Sequence, residues 1–280
     1  MTYDEVAYSV ADRIATISLN RPQARNGYTI RMSNELNDAF TRADGDEDVR
    51  VIVFTGEGKD FCVGADLSAG SLKASEDYSD EAWQEPAGRC SRRIFESRKP
   101  VIAAIRGAAV GAGSTIILPA DYRLAATDAR FGFVFSQRGI YPEGASTWFL
   151  PRLVGLGRAL DWMVSGRVFG AEEALSTGLV HSLHEPDEVL DKAYEIARDL
   201  VAKTAPVSVA VIRQMLYRMS PLDSPLPVHE LDSRLIAECA TSPDAVEGVV
   251  SFLQRRPPDF TGTVNKEVPG WLPWVGKHHP

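Results

Sequence analysis

Val101-Ile102-Ala103-Ala104-Ile105-Arg106-Gly107-Ala108-Ala109-Val110-Gly111-Ala112-Gly113-Ser114 is the stretch from which the rest of the chain can be read. Its first five residues form a short apolar run of the kind that makes a strand covered on both faces. The following residues are small and glycine-rich, and Thr115 to Leu118 continue in a helical pattern. A small-residue loop lets a ligand approach the backbone closely. A helix N-terminus behind it leaves unpaired N–H groups pointing outward, which suits an anion. Earlier in the chain, Phe61-Cys62-Val63-Gly64-Ala65-Asp66-Leu67 has the same character after another apolar strand. Two such loops facing one point make an oxyanion hole. Close packing between two layers explains either loop alone, and the spacing matches neither a phosphate-binding loop nor a dinucleotide fingerprint.

Working outward, the first half of the chain alternates strands and helices. Ile14 to Leu19 reads as a period-2 strand ending at the turn Asn20-Arg21-Pro22. Met32, Leu36, Ala39 and Phe40 recur at helical spacing from Ile30 to Ala43, with Thr29 placed to cap. Val49 to Phe54 and Tyr122 to Ala126 read as further strands, and strand–helix–strand units of this length imply right-handed crossovers. Between Ser68 and Arg89 the pattern fades, which predicts a mobile excursion or an irregular helix beside the site. After about Gly157 strand signals nearly vanish. Arg158 to Val164, Ala171 to Ser176, Asp187 to Lys203, Pro206 to Met219, Pro227 to Thr241 and Asp244 to Arg255 read as helices, several opening with Pro or Asp. The chain thus divides into an α/β core and a helical C-terminal part. The long apolar stripes of the helices at Asp187 and Pro206 suit a subunit interface or packing within the chain equally.

Composition narrows the functional classes. The chain has 280 residues, 44% hydrophobic and 24% charged, which is ordinary for a globular protein with a sizeable core. A formal net charge of −8 lacks the basic footprint that nucleic acid requires. The three cysteines, Cys62, Cys90 and Cys239, are widely spaced and suggest no metal site. The acidic N-terminus has no signal-peptide core, and the most apolar stretch, Val101 to Ala120, is broken by Arg106 and Pro119. The expectation is a cytoplasmic protein with no membrane, nucleic-acid or metal partner.

Several motifs taken together are more specific. Leu19 to Pro22 (LNRP), Phe61 to Leu67 (FCVGADL), Lys99 to Gly113 (KPVIAAIRGAAVGAG), Ala120 to Arg123 (ADYR), Ala129 to Gly132 (ARFG), Gly139 to Gly155 (GIYPEGASTWFLPRLVG) and Ser165 to Gly178 (SGRVFGAEEALSTG) cover most of the chain. Together they resemble the enoyl-CoA hydratase/isomerase (crotonase) superfamily. The resemblance implies an α/β fold: a ββα spiral acyl-CoA-binding core over residues 1–200 and a C-terminal α-helical trimerisation region over 201–280. It implies homotrimers or hexamers, and coenzyme A enters as part of the substrate, with no separate cofactor. It makes the N–H groups of Ala65 and Ala112 the donors to a thioester oxyanion, where one such donor is worth roughly 3 kcal/mol in the transition state.

The departures from the family pattern are informative. Hydratases of the family carry two glutamates, and this chain has Thr115 and Phe135 at those places. One acid remains close by, Glu143, at the position where family members that shift a double bond carry their base. A single carboxylate suffices for that reaction, because one group takes a proton from one carbon and returns it to another. Phe131, Phe133, Phe135, Tyr141 and Trp148 surround it in sequence, and apolar burial raises a carboxyl pKa toward a useful range. On its residues alone, Glu143 is equally an acid favoured at a helix N-terminus. The resemblance places Ala24 and Arg25, with Arg21 and Asn26 beside them, at the nucleotide end of coenzyme A. It makes Asp66 an anchor of the first ligand-facing loop. Phe135, Tyr141, Trp148 and Phe260 fall around the acyl group.

Three readings therefore stand: an enoyl-CoA isomerase with Glu143 as proton shuttle, a hydratase using Glu143 alone to orient water, and a non-catalytic acyl-CoA-binding protein. Trp271 and Trp274 in the C-terminal tail belong to none of them.

Overall fold

A computed structural model describes residues 2–68 and 83–276. In chain order the elements are β1 (Val6–Ala11), β2 (Ile14–Leu19), α1 (Ile30–Gly45), β3 (Val51–Gly56), α2 (Pro86–Glu96), β4 (Val101–Ile105), β5 (Ala108–Val110), α3 (Ala112–Thr115), β6 (Tyr122–Ala126), β7 (Arg130–Gly132), α4 (Ser146–Val154), α5 (Leu156–Ser165), β8 (Val168–Gly170), α6 (Ala171–Ser176), β9 (Ser182–His184), α7 (Val189–Lys203), α8 (Pro206–Met219), α9 (Leu226–Cys239), α10 (Pro243–Gln254) and α11 (Val264–Glu267). Six strands form one sheet in the order β1-β2-β3-β4-β6-β9, antiparallel at β1–β2 and parallel thereafter. A second sheet has the order β5-β7-β8.

The two sheets are wound together by the chain. β4 in the large sheet runs directly into β5 in the small one, and β6 runs into β7 in the same way. The turn before them is an incomplete copy: after β3, Cys62 forms a single parallel bridge with Ala109 of β5. Each turn of this spiral therefore starts on the large sheet and ends on the small one. Every residue of β3 and β4 is buried, as expected of parallel strands with both faces covered. Helix α7 packs across β2, β3, β4, β6 and β9, while α1 packs on β1, β2 and α2. Phe54 of β3 meets Phe40 of α1 and Phe61 of the following loop edge-on, at 5.3 and 5.2 Å between ring centres. The first glycine-containing loop is thereby tied to the core.

The expected strands at 14–19, 101–105 and 122–126 and the helix capped by Thr29 are present, and the Thr29 hydroxyl accepts from Met32 N at 2.9 Å. The C-terminal helices fall within a few residues of their expected bounds. Two differences matter. Ala108–Val110, read as loop, is a strand, and β8 and β9 lie where no strand signal was expected. Most of the segment from Ser68 to Arg89 falls outside the described residues; its last four residues, Pro86–Arg89, are the first turn of α2, which runs on to Glu96, past the segment where the sequence reading allowed an irregular helix. The tail tryptophans also acquire partners. Trp271 Nε1 donates to Glu238 Oε2 of α9 at 2.6 Å, with the Arg234 guanidinium 3.8 Å from its ring.

Helix α8 holds α2 in place through one side chain. Arg213, only 5% exposed, donates to the carbonyls of Ile94 (2.8 Å) and Phe95 (3.0 Å) at the end of α2, to Ser97 O, and to Asp121 Oδ2 (2.8 Å). These are the carbonyls that a helix C-terminus leaves without an internal partner. Replacing Arg213 by Met removes these charge-assisted bonds, although Ser97 N still donates to Ile94 O, Gln214 Nε2 to Phe95 O and Ser97 O, and Val101 N to Asp121 Oδ2. The expected loss is about 2–3 kcal/mol of unfolding free energy, read as a lower denaturant midpoint at unchanged slope.

Candidate active site

The site begins where two backbones touch. A Cβ placed on Gly64 would stand 3.0 Å from Val110 O and 3.8 Å from Gly111 Cα, and one on Gly111 would stand 3.5 Å from Gly64 Cα. Both glycines have positive φ, +98° and +55°. A side chain at either position would separate the loops or strain the backbone. Two residues before this contact Cys62 pairs with Ala109: Cys62 N donates to Ala108 O (2.8 Å) and Val110 N to Cys62 O (3.0 Å), so the two loops run parallel and in register. Ala65 and Ala112 are the next residues on each. Neither N–H has a hydrogen-bond acceptor among the described residues. Ala112 opens α3, which explains its unpaired N–H, and Ala65 is exposed.

A third loop buttresses the first. Tyr28 N donates to Gly64 O (2.8 Å), and Asp66 N to Tyr28 O (2.9 Å), so residues 64 and 66 are pinned on either side of Ala65. Asp66 accepts from Ser68 N (2.9 Å) and from Arg21 Nη1 (2.9 Å). Those bonds, Ser68 first and then Arg21, hold its carboxyl down to about 2. It is an ionised loop tie rather than a base. Asn26 is fully buried and donates to Glu57 O and Asp60 O, while Ala24 lies beside Asp66 across Gly27. Arg25 Nε donates to Asp60 Oδ2 at 2.7 Å, and its side chain stays largely exposed.

Glu143 reaches the site from the opposite side. Its Oε1 accepts from Thr115 Oγ1 at 2.8 Å, and the same hydroxyl lies 3.0 Å from Ala112 O. Thr115 therefore connects the carboxyl to Ala112, the first residue of α3. The backbone of Glu143 is fixed by Ser146, whose N (3.0 Å) and Oγ (2.7 Å) both donate to Glu143 O. Gly144 and Ala145 follow in left-handed conformation, φ +63° and +52°. At Gly144 a Cβ would meet Thr115 Cβ at 3.0 Å, so only glycine lets Thr115 come this close. At Ala145 the conformation costs about 1–2 kcal/mol. The side chain of Glu143 does not cap α4, whose first residue is Ser146.

A second carboxyl meets it there, one that the sequence reading missed. Glu85, the residue before α2, accepts from Gly144 N through Oε1 at 2.7 Å and is in side-chain hydrogen-bonding contact with Glu143. Its other oxygen, Oε2, is buried with no donor. Burial first, and then the neighbouring Glu85 charge, push the Glu143 carboxyl up to about 8, against the lowering effect of the Thr115 bond. The sequence signal was a Glu-Pro pair opening a helix, obscured by the acidic stretch before it.

Beside the pair lies a cavity of about 600 Å³ between α2 and α4, lined by Glu85, Gly88, Phe95, Ala145, Trp148 and Phe149 among others. Of the residues expected around the acyl group, Trp148 lines this cavity. Phe135 is 3% exposed and belongs to the core, as do Phe131 and Phe133, which stack with Phe169 and Trp162. The structure departs from expectation at Tyr141, which is 91% exposed and contributes nothing to the desolvation of Glu143. It departs again at Phe260. That residue packs beside Gly248 of α10, and its carbonyl accepts from Arg50, just ahead of β3. The oxyanion loop lies past the other end of that strand. The described residues include no group of His, Cys, Asp and Glu arranged to hold a metal ion and no helix long and apolar enough to cross a membrane.

Residues 10–263 match the family model for enoyl-CoA hydratase/isomerase. An enoyl-CoA hydratase of Alternaria alternata is 39% identical over 258 residues, covering 92% of this chain and 86% of the relative. The 1,2-epoxyphenylacetyl-CoA isomerase of Escherichia coli K12 is 32% identical over 256 residues, covering 89% and 95%. A crystal structure titled as a probable enoyl-CoA hydratase/isomerase from Mycobacterium abscessus superimposes with a TM-score of 0.86 at 33% identity, covering 92% of this chain and 99% of that one. With two glycine-bearing loops in register and a family match along nearly the whole chain, this protein belongs to the enoyl-CoA hydratase/isomerase family.

Proposed function

We propose that the protein moves a carbon–carbon double bond in an enoyl-CoA thioester, converting a 3-enoyl-CoA to its 2-enoyl isomer. The observation that carries this reading is the direct contact between the Glu143 and Glu85 carboxyls beside Thr115. Hydration in this family uses two carboxylates that hold one water between them. Here the second carboxyl is tied to Gly144 N, the peptide next to Glu143, and one carboxyl is sufficient to move a proton between carbons.

In this reading the thioester oxygen sits against the N–H groups of Ala65 and Ala112. Glu143 takes a proton from C2, the electron pair of that C–H bond delocalises onto the thioester oxygen on one side and through the C3=C4 double bond to C4 on the other, and the two N–H groups stabilise the resulting dienolate. The proton then returns at C4 and the charge leaves the oxygen. Nothing is oxidised or reduced, and one carboxyl serves both steps. Hydration of a 2-enoyl-CoA is the second reading, favoured by the name of the Alternaria relative. Trimeric or hexameric assembly is part of the same proposal, supported by apolar side chains left exposed on α9 and α10, among them Leu226, Ile236, Val249 and Phe252.

Glu143→Gln is expected to lower kcat for 3-enoyl-CoA isomerisation by roughly 10²–10⁴-fold with little change in acyl-CoA affinity. The spectrophotometric assay decides: undiminished isomerisation removes Glu143 as the base, and a wild type that only hydrates 2-enoyl-CoA selects the second reading. The pH dependence follows from the raised carboxyl. Because activity needs Glu143 ionised, kcat/KM should climb with pH along a limb well above the ordinary carboxylate range. Thr115→Val removes a bond that favours the charged form, so it should move that limb to still higher pH. A limb that stays in place or moves to lower pH would show that the hydroxyl does not bear on the titrating group.

A further inference from the structure

Glu85 has no part in the mechanism above beyond its contact, yet it is held in place with unusual care. Pro86, the next residue, has its carbonyl bound by two hydroxyl donors, Tyr28 Oη (3.1 Å) and Ser33 Oγ (2.6 Å). The Glu85 backbone is thus anchored from the loop before α1 and from α1 itself, the same loop that pins Ala65. Its Oε1 is used by Gly144 N, the peptide immediately after Glu143. Its Oε2 is buried and receives no hydrogen bond, and leaving a buried carboxyl oxygen without a donor is costly. The group beside it that can supply a donor is the Glu143 carboxyl in its protonated form.

We propose that Glu85 is a positioning residue that shares one proton with Glu143, the two carboxyls being held against the same peptide, Gly144, and the Thr115 hydroxyl. The inference rests on the reading of Glu143 as the base. Two carboxyls in contact in a poorly solvated site cannot both ionise readily, and a proton held between them satisfies both. The orphaned Oε2 then has its donor. The role of Glu85 is to set the pH at which Glu143 is free to take a proton from carbon, while Glu85 itself does not touch the substrate's reacting atoms.

The other titratable groups that bear on Glu143 leave the charge of the pair to Glu85. Tyr28 and Cys90 are pushed well up by burial, and Cys62 is pushed up to about 12, so all three stay neutral. Arg92, on the cavity wall, pairs with Glu96 at 2.9 Å. Thr115 bonds to Glu143 but does not titrate.

The test uses the full-length protein with ¹³C-labelled glutamate carboxyls, followed by infrared difference spectroscopy against Glu143→Gln. Wild type should show a protonated carboxyl C=O band at pH 7. In Glu85→Gln the Gln carbonyl still accepts from Gly144 N while its amide donates to Glu143. The acid band should weaken at pH 7 and the rising limb of kcat/KM should move down by about one to two pH units. The plateau should fall by about tenfold or less, because a weaker base drives proton transfer less. Glu85→Asp keeps the charge and should return the limb toward its wild-type position, which a merely structural role would not produce. No acid band in wild type, or a band undiminished at pH 7 in Glu85→Gln, overturns the proposal. If the bands behave as expected but no enoyl-CoA is turned over, the shared proton stands and the isomerase reading falls.

Discussion

The contact between Gly64 and Gly111 is the constraint on which the site depends. It is a meeting of two backbones, tightened to the point where neither residue has room for a Cβ without straining its turn or pushing the other loop away. The spiral supplies it. Each turn leaves the large sheet for the small one, and Cys62 and Ala109 bridge at the place where successive turns lie side by side. Because the bridge is parallel and the register continues to the glycines, the residues after them present their N–H groups from neighbouring positions. Donors built from backbone need no side chain held in one rotamer, so they are organised before a ligand arrives, and this is what makes such donors effective on developing charge.

The carboxyl end of the site is built at a cost that the surrounding packing must cover. Gly144 and Ala145 both take left-handed conformations, one of them at a residue with a side chain, and Glu143 is put beside another acid in a poorly solvated place. Strain and perturbed ionisation concentrated within three consecutive residues are the signature of a functional constraint. A merely structural turn would do as well with a neutral residue at 143. The same neighbourhood explains the dependence on remote elements: α2 presents Glu85 only because α1, through Ser33, fixes its first turn and α8, through Arg213, fixes its last carbonyls.

The parts of this arrangement legible in the sequence are those carried by local pattern. Strands with buried apolar runs, such as 101–105, and helices with an explicit cap, such as Thr29 before Ile30, stand out because each residue's neighbours determine them. The two glycine loops stand out for the same reason. Strands β5, β7 and β8 do not, since three residues carry no periodicity and their pairing is decided by the spiral. Glu143 stood out only through the family resemblance, since on its residues alone it reads as an acid at a helix N-terminus. Glu85 was not legible, because only the fold brings the residue before α2 against the peptide after Glu143, and its sequence surroundings are acidic and featureless. Tyr141 and Phe260 show why ring direction is not legible: an aromatic residue's place in sequence says nothing about which way its ring points, and within one chain these two turn to solvent and to α10.

A crystal structure of the protein with a saturated acyl-CoA tests the central claim most directly. The account predicts the thioester oxygen at about 2.7–3.1 Å from both Ala65 N and Ala112 N, with a Glu143 oxygen facing the carbons on the far side of the carbonyl. A thioester oxygen held by one of these nitrogens only, or an acyl chain running away from Glu143, would contradict it.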